Sequence, residues 1–333
     1  MSPVPQTREQ YSAHLPALHL LCNLGWSYLS VADCMALRGS TREVLLKPRL
    51  IEVLKERRFE YKGEWFPLSA NAIDQIVREL SALNLGEGLL PANERLYTKL
   101  ALGITVTEFM PDGKKHQPTI AVIDWAVPEA NRWDVTEEME VLSAQGTHNR
   151  IPDVVGFVNG IPLVVIEAKR PESGNENRRM VEEGISQQLR NQRQDEIPHL
   201  FAYAQLLLAV SHSEGRYGTT HTAAKFWARW REEVFDDAKV TAVKNLALDA
   251  QTRAALFADK PEKLRQYFTA LWSQPMLATD QDRLLVSLLT PVRLLELLRY
   301  FVLFEDDGTL VKKIAGYHQF HAVRAAIVQV VAA

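Results

Sequence analysis

The stretch RIPDVVGFVNGIPLVVIEAKRP, Arg150 to Pro171, constrains the chain more than any other. Two apolar, β-branched runs flank Asn159-Gly160, a pair that favours a tight hairpin because both residues tolerate positive φ. Such runs read as buried strands, yet they hold Asp153, Glu167 and Lys169. Pro152 and Pro171 fit the hairpin ends, since proline gives no N–H to a central ladder.

Register decides whether the three charged groups can meet. With a simple two-residue turn, Val158 pairs with Ile161, so Asp153 faces Ile166 and lies on the opposite face from Glu167 and Lys169. A three-residue loop with Gly160 left-handed pairs Phe157 with Ile161 and Asp153 with Val165. That register, or an equivalent bulge, puts all three groups on one face and is the one expected.

Two carboxylates converging among apolar residues repel each other and titrate upward unless a cation neutralises them. Oxygen ligands from few residues suit Mg²⁺ better than zinc, and such an ion acidifies water and polarises a phosphate oxygen. Lys169 is placed to orient or deprotonate that water and to stabilise charge developing on phosphorus. The chemistry expected is phosphodiester hydrolysis, with Asp153 and Glu167 as metal ligands. The plain alternative is an edge hairpin in which Glu167 and Lys169 form a solvated ion pair.

The remaining text frames this hairpin. Up to about residue 90 it reads helical, as in REQYSAHLPALHLLCNLGW and NAIDQIVRELSAL. PANERLYTKLALG reads as one more helix, with Asn93 as N-cap and Gly103 just past its end. ITVTEFM, PTIAVIDWAV and RWDVTEEMEVL read as a strand meander leading into the hairpin. A polar loop and an Arg- and Gln-rich helix follow, and then PHLFAYAQLLLAVS, a buried strand or helix. From about residue 222 the chain reads strongly helical through KFWARWREEV and LLTPVRLLELLRYFVLF. It closes on KKIAGYHQFHAVRAAIVQVVAA, an amphipathic helix without a terminal cap that looks cut off. The order helix, antiparallel strands, helix, strand suggests an α/β core with a mixed sheet.

At 333 residues the chain can bury a full core and has room for more than one domain. Its two cysteines, Cys22 and Cys34, fit a reduced, cytoplasmic compartment as small core residues. No basic start with an apolar core opens the chain, and its longest apolar run, LFAYAQLLLAV, is too short for a bilayer. No membrane association is therefore expected. A net charge of -3 argues against coating nucleic acid by bulk charge but allows a local basic groove.

The hairpin resembles the nuclease segment of the restriction subunit of type I restriction-modification enzymes, whose core is of the PD-(D/E)xK type. The resemblance extends upstream through NERLYTKLALGITV and IDWAVPEANRWDVTEEMEV and downstream through IPHLFAYAQLLLAVSHSEGRYGTT, roughly residues 90 to 220. It implies a restriction-endonuclease-like core with a mixed sheet at 91–221, flanked by a helical region at 1–90 and a helical linker at 222–300. Asp153 then matches the family's metal-binding aspartate, Glu167 its second acid and Lys169 its catalytic lysine. Gln187 matches the glutamine of a Gln-x-x-x-Tyr element, while Asn191 stands where tyrosine is expected. Residues 301–333 resemble the start of a helicase-like motor, with Gln319 of YHQFHAV matching a glutamine that contacts the adenine of ATP. No Gly-x-x-x-x-Gly-Lys-Ser/Thr loop occurs in the sequence, so ATP use is expected only in a longer subunit. The implied partners are double-stranded DNA and the specificity and methyltransferase subunits, with ATP-driven translocation preceding cleavage.

Other groupings are less directive. Arg178, Arg179, Arg190 and Arg193 could touch phosphates, or share a solvated helix face with Glu182 and Glu183. His14, His19 and Cys22 lack the paired spacing of structural zinc and read as helix-face and core residues, and His318 and His321 read as scaffold. Two further readings stay open: a non-catalytic DNA-binding or subunit-docking module, and a stand-alone nuclease of the same core.

Overall fold

The computed structural model describes residues 8–171, 180–232 and 236–332. Six strands build one mixed sheet in sequential order: β1 (Ser27–Leu29), β2 (Trp133–Glu137), β3 (Val154–Val158), β4 (Ile161–Lys169), β5 (Leu206–Ser211) and β6 (Glu214–Gly218). The β1/β2 and β4/β5 pairs are parallel and the other three antiparallel. Every residue of β3, β4 and β5 is buried, so their runs are apolar without alternation because both sheet faces are covered.

Helix α1 (Leu15–Asn23) follows a short π-helical turn, Gln10–His14, and packs beside the sheet. Helix α2 (Met180–Asn191) is part of the crossover that makes β4 and β5 parallel, and it lies on the face bearing Glu167 and Ala209. Helix α3 (Asp280–Leu289) covers the other face, where Leu284 fills the space above Gly215. Helix α4 (Tyr317–Ala332) closes the described chain. No helix among the described residues is long and apolar enough to cross a membrane.

Several expectations are corrected. The N-terminal region holds strands as well as helices: a hairpin, Arg58–Tyr61 with Glu64–Pro67, and β1, which joins the main sheet across the expected boundary near residue 90. Asn93 is no N-cap but lies inside the helix Leu89–Leu102, where its buried amide donates to the carbonyls of Phe201, Ala202 and Ala204. Gly103 does end that helix at φ +86°. Of the expected meander only RWDVTEEMEVL enters the main sheet, and the segments before it form two-residue side ladders.

Within KFWARWREEV the described residues, 225–232, form no α-helix: Lys225 and Phe226 end a 3₁₀ turn, Ala224–Phe226, and Ala228 pairs with Tyr217, while residues 233 and 234 lie outside the described residues. LLTPVRLLELLRYFVLF breaks at Thr290, whose hydroxyl donates back to Val286 O, before a second helix, Pro291–Tyr300, and its end is a strand, Val302–Asp306. That strand pairs with Leu310–Ile314, so KKIAG precedes α4 rather than belonging to it.

Candidate active site

The turn between β3 and β4 has both central residues left-handed, Asn159 at φ 53° and Gly160 at φ 78°. This is a two-residue turn with Val158 opposite Ile161, so the three-residue loop expected from sequence does not form. Asn159 is buried and locks the turn, donating to Val122 O and Asn131 Oδ1 and accepting from the Arg132 N–H. A bulge then shifts the ladder between Gly156 and Phe157, so that Gly156 faces Val164 and Val154 faces Ile166. The extra residue, Leu163, follows Pro162, which has no N–H to contribute to the ladder. The shift restores the parity that brings Asp153 and Glu167 to one face, by a different bulge from the one expected.

At that end of the hairpin Asp153 Oδ2 accepts from the Ala168 N–H at 2.7 Å and from Lys169 Nζ at 3.2 Å. Lys169 Nζ lies 3.5 Å from Glu167 Oε2 and donates to Ala168 O at 3.0 Å. Glu167 is fully buried, and its Oε1 has no hydrogen-bond partner among the described residues. Burial first, and the nearby Asp153 carboxylate second, push Glu167 well above the usual carboxylate range. Burial works against the charge on Lys169, but Asp153, Glu167 and Glu9 outweigh it and hold the ammonium above its ordinary value.

Glu9 is the residue that sequence reasoning missed. It stands one residue before the π-helical turn, with Oε2 3.8 Å from Lys169 Nζ, and burial raises it above a free carboxylate. No local pattern marked it, because its place depends on how the N-terminal helix packs against β4. Gly184 brings α2 down onto the cluster: a Cβ there would meet Ala209 Cβ at 3.2 Å and Glu167 Cβ at 3.5 Å.

The glutamine on α2 that reaches the sheet is Gln188, whose Nε2 donates to Val165 O at 3.1 Å and Leu208 O at 3.2 Å. Gln187 is half-buried beside it and makes no hydrogen bond to Asp153, Glu167 or Lys169. Asn191 is buried with Oδ1 unpartnered among the described residues. Arg190 and Arg193 line a shallow cavity with Glu182, while Arg178 and Arg179 lie outside the described residues. Gln319 sits at the exposed start of α4, where its side chain accepts from the Gly316 N–H. His19 stacks on Trp272 at 4.2 Å and Cys22 is half-buried, as the core reading of those residues requires.

The mixed sheet, with two acids and a lysine converging at the end of a buried hairpin, defines the chain as an α/β protein. The family described as type I restriction enzyme R protein N terminus matches residues 6–226, and the chain belongs to it. Among curated relatives, the type I restriction enzyme HindI endonuclease subunit of Haemophilus influenzae is 29% identical over 320 residues, 93% of this chain. A Methanocaldococcus jannaschii protein, named only provisionally as the type I restriction enzyme MjaIXP endonuclease subunit, is 25% identical over 324 residues, 96% of this chain. The alignments cover 26% and 27% of those two relatives, so the chain spans about a quarter of their length.

Proposed function

We propose that the chain is a Mg²⁺-dependent DNA endonuclease region of the PD-(D/E)xK kind, acting in the restriction subunit of a type I enzyme. The observation that carries this reading is the convergence of Asp153, Glu167 and Lys169, with the other Glu167 oxygen, Oε1, buried and unpartnered among the described residues. A hard divalent ion suits that donor set, because both acids offer only oxygen and Glu167 Oε1 has no partner among the described residues. Asp153 and Glu167 would hold it. When bound, the ion supplies Lewis-acid polarisation of the scissile phosphate and acidifies water.

The chain's own groups do the rest. Lys169, whose ammonium the neighbouring carboxylates hold above its ordinary value, would orient water and stabilise developing negative charge. The Ala168 N–H fixes the Asp153 carboxylate, and Glu9 adds a third carboxylate at the rim. Gln187 lies on the same helix as Gly184, which packs on the cluster, and Arg190 and Arg193 offer phosphate contacts from α2.

The larger assembly belongs to the same proposal. Double-stranded DNA is the substrate, specificity and methyltransferase subunits are the partners, and ATP-driven translocation in a longer polypeptide precedes cleavage, with Gln319 near the adenine. The work would be done in the cytoplasm.

The contacts of Lys169 with three carboxylates favour a second reading, a non-catalytic module in which the cluster is a self-neutralised structural knot. Titration calorimetry with Mg²⁺ on the chain and on Asp153→Ala separates the two. Heat of binding lost in the variant supports the nuclease. No binding to the intact chain leaves the structural knot.

A further inference from the structure

A second cluster stands at the opposite side of the β2/β3 junction. His14, Glu137 and Glu138 each offer one ligand atom, and these atoms lie within 4.8 Å of one another. By register Glu137 shares a face with Val154 and Ile166, whereas Asp153 and Glu167 belong to the other face. The cluster is therefore separate from the proposed nuclease site.

Two atoms within it have no hydrogen-bond partner among the described residues: His14 Nε2 and Glu137 Oε2, both on buried side chains. They face each other at 3.3 Å. A tetrahedral ion with bonds of about 2.0–2.1 Å sets its ligands roughly 3.4 Å apart, so this spacing is that of two ligands sharing one ion. The Glu137 carboxylate is held in place from its other oxygen, which accepts from the Tyr28 hydroxyl at 2.5 Å and from Lys260 Nζ at 2.9 Å. That leaves Oε2 directed at the imidazole. Glu138 is exposed, with its N–H bonded to Asp153 O, and its carboxylate closes the group from the solvent side.

We propose that His14, Glu137 and Glu138 form a binding site for a divalent transition ion of the Zn²⁺ type, distinct from the nuclease site. Imidazole with carboxylates suits such an ion better than Mg²⁺, and water fills the fourth position. The ion joins the N-terminal π-helical turn to the end of β2. Because Glu9 and His14 stand at the two ends of that turn, fastening His14 also fixes the helix that presents Glu9 to Lys169.

The test uses Co²⁺ as a spectroscopic stand-in, added to chelator-stripped chain carrying Asp153→Asn to weaken the other site. The expected result is uptake of one equivalent with the visible absorption of four-coordinate Co²⁺. Adding His14→Ala or Glu138→Ala should each weaken uptake at least about tenfold, since even outer partners of bound ions cost that much when removed. Glu138 is exposed, so its variant keeps the test decisive if His14→Ala folds poorly. No such band, or a band that survives either variant, overturns the proposal and leaves His14 and Glu137 as an ordinary buried polar contact.

Discussion

Asp153 is held by a backbone N–H as well as by Lys169, and this separates two kinds of substitution. Asp153→Asn keeps an acceptor for the Ala168 N–H, so stability should change by less than about 1 kcal/mol, while a metal-dependent activity should fall at least about 10²-fold. Melting curves and plasmid cleavage on the same preparation check both halves. Glu167 behaves differently, since its carboxyl is fully buried with one oxygen unpaired among the described residues. A carboxyl raised in the folded state contributes stability that is complete below the unfolded value, about 4.3, and lost as pH rises through the folded value. Glu167→Gln should therefore be more stable than the parent in metal-free buffer at neutral pH, by about 1–3 kcal/mol, with the gap closing on acidification. Denaturant titrations across pH would refute this if the gap stayed constant. At this scale the sequence made three residues legible, because charge inside an apolar run needs a reason. Glu9 was not legible, as only tertiary packing brings it to Lys169, and the choice between Gln187 and Gln188 turned on a helix phase that no local pattern specified.

Among the elements, the hairpin was readable from Asn-Gly and its apolar flanks, but its register was not, because two different bulges give the same parity. The observed one places the irregularity next to Pro162. The helical reading of KFWARWREEV failed for a packing reason: Trp227 closes over Gly218 and Trp230 contacts Tyr217 and Phe320, which an extended run allows. A clamp sits just ahead of Asp153, where Arg150 Nε and Nη2 bond both oxygens of Glu196 at 2.5 Å and His148 Nε2 lies 2.8 Å away. The Arg150 contact, with His148 adding to it, holds Glu196 down to about 2. The stabilisation is thus present above the unfolded carboxylate value and lost as pH falls toward about 2. The parent should exceed Glu196→Gln in stability near neutral pH, and the difference should vanish in strong acid. A difference that persisted at the acid end, measured by denaturant titration, would contradict the clamp.

Over the whole molecule, the sheet and the covering helices draw on distant parts of the chain. The strand β1 comes from the N-terminal region, and Trp26 beside it donates to Leu289 O on α3. The hairpin of Val302–Asp306 and Leu310–Ile314 is fastened by Lys312, whose buried amine donates to Asn93 Oδ1 at 2.8 Å and Gln205 Oε1 at 2.5 Å. Burial pushes Lys312 well below its ordinary value, and the two amide oxygens are its acceptors. Lys312→Ala leaves two buried acceptors unpaired and should cost about 1–3 kcal/mol. Hydrogen exchange should then rise first in residues 302–314, and unchanged protection there would contradict this anchoring. Composition and periodicity predicted an α/β protein with a mixed sheet, but not these long-range ties, because each joins single residues far apart in sequence.

The central claim is that Asp153, Glu167 and Lys169 form a metal-dependent nuclease site, and nicking of supercoiled plasmid tests it most directly. The chain is compared with Asp153→Ala and Lys169→Ala at equal concentration, with Mg²⁺ and with chelator. The account predicts Mg²⁺-dependent nicking by the parent and at least about a 10²-fold loss in each variant. Nicking that persists in either variant, or a parent chain that neither nicks nor binds Mg²⁺, would contradict it.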